Sequence, residues 1–159
     1  MFKKGADLSE VRGVVAHEMG HYRHGHVLQS AAVLGLLAVL MLFVCDRVFP
    51  RVARLVGADG ISGIADPVGL PVLMMIVSVL GLAVLPVTNS VTRLQESDAD
   101  RFSLATAGEP DGLAKALMKT VEYRASSPAA WEEMLFYDHP SVARRVHRLM
   151  VWKAERTAR

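Results

Sequence analysis

Two stretches of this chain carry no formal charge over unusual lengths: Val27 to Cys45, nineteen residues, and Pro67 to Thr92, twenty-six. At 1.5 Å per helical residue they reach about 28 and 39 Å against a hydrocarbon core of about 30 Å, so each is long enough to cross a bilayer. Two buried core helices of this kind would need apolar partners all round, and a 159-residue chain has too few other apolar segments to supply them. Pro71 and Pro86 lie near the ends of the second run, where a membrane helix tolerates them. Composition agrees, with 52% apolar and 21% charged residues and a mean hydropathy of +0.28, which excludes disorder. The net charge of +2, from 18 basic and 16 acidic side chains, argues against a nucleic-acid partner. Cys45 stands alone, which removes internal disulfides and thiolate zinc sites.

The first run begins too late, after too polar a segment, to be a cleaved signal peptide. Asp46 to Asp66 sets Arg47, Arg51 and Arg54 against Asp46, Asp59 and Asp66, with Gly57, Gly60 and Gly63 interrupting, and reads as a loop. The expected organisation is therefore an all-α membrane protein: a helix within residues 1–26, a transmembrane hairpin over 27–92 (spans 27–45 and 67–92, loop 46–66), and a helical region over 93–159. Two crossings return the chain to the side it left. Arginines at the outer ends of the hairpin (Arg12, Arg23, Arg93, Arg101) barely outweigh the three in the loop, a slight lean toward cytoplasmic termini. Ala31, Gly35 and Ala38 form a small-residue stripe, either an approach for another helix or incidental composition. Leu8 to His24 is helix-periodic and is expected to run straight into the first span. Further helices are expected over Ser90 to Thr106, Asp111 to Arg124, a short one started by Ser127 and Pro128, and one after Pro140. No strand is expected.

Chemistry concentrates in His17-Glu18-Met19-Gly20-His21, an HExxH string. On a helix His17 and His21 stand one turn apart on one face, so both imidazoles reach one zinc ion, and Glu18 projects beside them as a general base. A hydrolytic zinc site needs a third protein ligand. His24 and His26 do not complete the longer HExxHxxGxxH pattern, because His24 and Val27 occupy its glycine and third-histidine positions, so they are expected at headgroup level or behind the ligands. Glu96 is the stronger candidate, with Asp100 one turn on to hold a ligating imidazole; alone it also fits a solvated surface carboxylate. The return of the chain after two crossings brings residues 21 and 96 to the same side. Such a site polarises a carbonyl and activates water for peptide hydrolysis, with Glu18 moving the proton.

The chain resembles the C-terminal part of the CAAX prenyl protease family of integral membrane zinc metalloendopeptidases, which also contains the bacterial heat-shock membrane proteases. The resemblance rests on Val14-Val15-Ala16-His17-Glu18-Met19-Gly20-His21, on Glu96-Ser97-Asp98-Ala99-Asp100-Arg101-Phe102 and on Asp138-His139-Pro140-Ser141 followed by Arg145, in that order around the hairpin. It implies zinc held by His17, His21 and Glu96, with Glu18 catalytic. It also implies His139 as a donor to the oxyanion, although a residue before Pro140 equally suits helix capping, and Asp100 paired with Arg145 behind the ligands. Arg144, Arg148, Lys153, Arg156 and Arg159 read as an exposed or headgroup-facing surface. Peptide or protein substrates and the lipid bilayer are the implied partners, through CAAX-type processing or membrane protein quality control. Family members carry further spans before the HExxH helix. An upstream membrane region or other membrane helices are therefore expected to complete the cleft, and the alternative is a catalytically incomplete zinc-binding subunit.

Overall fold

The computed structural model describes residues 5, 7–121 and 127–158, and among them every regular element is helical. The long helices are α1 (Leu8–His24), α2 (His26–Leu55), α3 (Leu70–Thr106) and α6 (Val142–Thr157); α4 (Pro110–Met118) and α5 (Ala130–Phe136) are short. The chain forms two compact units, residues 1–29 with 89–159, and residues 30–88.

In the second unit α2 and α3 form the apolar hairpin. The 30 residues of α2 extend about 45 Å. Within this unit α2 presents Leu36, Val39 and Leu42 outward, each more than 60% exposed, a surface suited to hydrocarbon rather than water. Gly35 has open space beside it, so the small-residue stripe meets no helix among the described residues. The buried cluster lies toward the connection: Cys45, Phe49, Ala53, Val72 and Ile76. This corrects the expected loop over 46–66. Helix α2 continues ten residues past Cys45, through Pro50, because Phe49 and Ala53 have an apolar partner face to bury against; it stops where Gly57 adopts φ +73°. A 3-10 turn at Pro67–Gly69, capped by Asp66, then leads into α3.

In the first unit α1, the C-terminal part of α3, α4 and α6 surround a core of Val14, Leu104, Leu113, Leu117, Val142 and Leu149. Asp7 caps α1 by accepting from the Glu10 amide at 2.9 Å. Helix α1 does not run on into α2 as the sequence suggested: Gly25, at φ +65°, ends it and redirects the chain. From Leu70 on, helix α3 carries the second apolar run and the segment beyond it without interruption. The helix expected over Asp111 to Arg124 begins at Pro110 and leaves regular α-helix after Met118, and the end of that expectation lies outside the described residues. The short helix begins at Ala130, not at Ser127 and Pro128, with the Ala129 amide donating to the Glu132 carboxylate at 2.9 Å.

Candidate metal centre

Helix α1 presents His17 and His21 one turn apart, as the HExxH spacing requires, and α3 brings Glu96 to them. His17 Nε2 and His21 Nε2 are 3.2 Å apart. Glu96 Oε2 is 3.5 Å from His17 Nε2, and Glu96 Oε1 is 3.4 Å from His21 Nε2. Four ligands about 2.0–2.1 Å from a zinc ion stand about 3.3 Å from one another along a tetrahedron's edges, so the donor triangle has the right size as well as the right chemistry. These three residues are the His/Cys/Asp/Glu group, among those described, whose ligand atoms converge. The approach of α1 to α3 depends on Gly20, since a Cβ there would lie 3.0 Å from Ala99 Cα.

Charged side chains behind the ligands hold them in place. Arg145, from α6, donates from Nε and Nη2 to the two Asp100 oxygens at 2.8 and 2.6 Å, and its Nη1 lies 2.8 Å from Glu96 Oε2. Asp100 Oδ1 lies 3.0 Å from His17 Nδ1, close but off the line of a well-formed hydrogen bond, so this pairing is chiefly electrostatic. All four of these side chains are buried. Burial works against a charged His17, yet the Asp100 and Glu96 carboxylates outweigh it and raise the imidazole to about 9 in the metal-free protein. Burial likewise opposes ionised Glu96, but His17 and Arg145 hold it well below the ordinary carboxylate range. Burial, helped by the charge of His17, pushes His21 down against the pull of Glu96.

Glu18 is exposed and lines a cavity of about 210 Å³ together with His17, His21, Glu96 and His139. The apolar part of its lining comes from Val14 and from Leu113, Ala116 and Leu117 of α4. His139 Nε2 stands 3.4 Å from Glu96 Oε1, and its Nδ1 meets Asp138 Oδ1 at 2.7 Å. The capping role open to His139 falls instead to Ser141, whose side chain accepts from the Arg144 amide. Every site residue read from the sequence thus lies in one cluster. The α4 wall was not foreseen, since its apolar residues carry no signal distinguishing a cleft from a core. His26 was placed only loosely; its ring contacts His21, and the helix break that allows this is marked in the sequence only by Gly25. Arg144 and Arg148, expected to be exposed, are so; Arg144 pairs with Glu133 and Arg148 donates to Ser97. Arg159 lies outside the described residues.

Comparison with known proteins identifies the family and the fold. The Bacillus subtilis (strain 168) protein named Uncharacterized metalloprotease YhfN is 30% identical over 143 residues, covering 88% of this chain and 34% of that protein. A Protease HtpX homolog of Ralstonia pickettii (strain 12J) is 31% identical over 166 residues, covering 89% and 54%. The crystal structure of S. mikatae Ste24p shares the fold, with a TM-score of 0.70 at 20% identity over 92% of this chain and 36% of that one. The chain thus spans between a third and somewhat over half of the relatives it matches. The pattern of Peptidase family M48 matches residues 1–153, and the chain belongs to that family.

Proposed function

We propose that this chain carries the catalytic centre of a zinc-dependent membrane endopeptidase, with His17, His21 and Glu96 as metal ligands. The observation that carries the reading is the convergence of these donors at 3.2 to 3.5 Å, at the edge of a cavity that Glu18 and His139 also line. Bound zinc would polarise a peptide carbonyl and lower the pKa of water. Glu18 then takes a proton from the water as its oxygen attacks the carbonyl carbon, and delivers it to the amine nitrogen as the C–N bond breaks. His139, beside the site through its Nε2, donates to the carbonyl oxygen as negative charge develops there. Arg145 holds Glu96 and Asp100, and Asp100 holds His17, so the ligands are positioned before metal arrives. The two apolar helices support a membrane protein, and the slight arginine bias supports a cytoplasmic catalytic side. Substrates are peptides or proteins at the bilayer, in CAAX-type processing or in membrane protein quality control.

A second reading is a zinc-binding membrane subunit that needs an upstream region or another membrane helix to complete its cleft; the chain spans 34% to 56% of the length of the relatives it matches. Glu18→Gln separates the two: the amide keeps the shape of the side chain but accepts no proton. We expect zinc to be retained and peptide hydrolysis to fall by about 10² to 10⁴, with zinc assay and peptide cleavage measured on detergent-purified protein, alone and joined to a relative's upstream region. Activity within about tenfold of the parent contradicts the base assignment. A parent that binds zinc but cleaves only when joined supports the second reading.

A further inference from the structure

We propose that His26 is a positioning residue that sets the tautomer and ring orientation of His21 at the metal centre, an inference that rests on His21 being a ligand. At 100° per residue, positions 21 and 26 of an unbroken helix stand about 140° apart around its axis and cannot meet. The break at Gly25 turns the start of α2 back, so that His26 Nδ1 lies 2.9 Å from His21 Nδ1. The ring is held on several sides. It is edge-on to His21, with centroids 4.9 Å apart, and stacked on His24 at 5.5 Å. Its residue is 4% exposed, and its carbonyl accepts from Gln95, the neighbour of Glu96, at 3.3 Å.

Two ring nitrogens at this separation need one donor and one acceptor. Nε2 of His21 is the atom that converges with His17 Nε2 and Glu96, so it must present a lone pair to a metal. A neutral imidazole then carries its proton on Nδ1 and donates it to His26, whose own proton sits on Nε2. The two histidines of the HExxH string are thus supported differently: His17 faces the Asp100 carboxylate, whereas His21 faces a neutral acceptor. An imidazole in this place orients His21 without adding a third anion beside Glu96 and Asp100.

The test uses the full chain bearing Glu18→Gln, with zinc affinity read by competition against a chelator, so that no turnover is needed. His26→Asn puts an amide oxygen near the place of Nδ1 and keeps an acceptor; His26→Phe keeps a ring and removes the acceptor, and His26→Ala is a second variant without one. We expect the Phe and Ala variants to bind zinc about 10- to 100-fold more weakly and the Asn variant to recover most of that loss. Parental affinity in the Phe and Ala variants, or an Asn variant as weak as they are, overturns the role. A Glu18→Gln parent that binds no zinc overturns instead the ligand set on which the role depends.

Discussion

Arg145 illustrates how single residues decide this centre. Burying His17, Glu96, Asp100 and Arg145 together is tolerable because the charges balance: a protonated His17 and the guanidinium offset two carboxylates in the metal-free protein. Removing one member leaves an unpaired buried charge. We expect Arg145→Ala to cost about 3–5 kcal/mol, read by denaturant unfolding, and Arg145→Lys to rescue little, because an ammonium cannot reproduce the forked contact with Asp100. An Arg145→Ala protein of parental stability removes this account of the cluster. His139 behaves differently in our reading, since it lines the cavity and Ser141 does the capping. In a form shown to be active, His139→Ala should lower kcat by about 10² to 10³ with zinc content and melting temperature held. A destabilised but fully active variant assigns His139 a structural role instead. Of these side chains, the HExxH pair was readable from spacing alone, because one helical turn dictates it. Glu96 needed the topology, and the donor role of His139 came only from family resemblance, because residues without a shared helical register reveal no mutual distance.

Helices approach closely in this protein where glycine permits it. A Cβ at Gly112, in α4, would lie 2.3 Å from the Ser9 carbonyl carbon and oxygen at the start of α1, and one at Gly13 would lie 3.0 Å from the Leu113 amide. Backbone atoms cannot yield as a flexible side chain does, so Gly112→Ala must push α4 away from α1. That displacement moves Leu113 and Leu117, which both fill the core and wall the cavity. We expect about 1–3 kcal/mol of destabilisation, measured by thermal unfolding, together with altered side-chain preference in any peptide cleaved. A variant as stable as its parent would show that the crossing is looser than the distances imply. Helix existence was legible at this scale, and helix ends were less so. The charges after Cys45 and the glycines from Gly57 on suggested a loop from residue 46, but the Phe49 and Ala53 contacts outweigh that local signal as far as Leu55. Gly25 carried the opposite lesson: a single glycine within a helix-periodic stretch ends α1 and turns the chain.

On the scale of the whole molecule, α2 begins and α3 ends in the unit that holds the candidate metal centre, so these two helices supply His26 and Glu96 to it. The proposed metal links α1 to α3 and should stabilise the fold that positions them. Zinc at 100 times its Kd is expected to add about 2.7 kcal/mol, seen as a rise in melting temperature that chelation reverses and that Glu96→Ala abolishes. An equal rise in that variant would move the third ligand elsewhere. The all-α class, the apolar hairpin and the HExxH pair were determined by the sequence itself, because length, hydropathy and helical period are local properties that no partner need supply. The tertiary structure alone decided which side chains meet across the fold. It set Arg145 between two carboxylates, made α4 a wall of the cavity and turned His26 onto His21. Those contacts arise from helix crossings permitted by glycine and from a change of direction at Gly25, and neither a crossing distance nor a direction is encoded by any one segment.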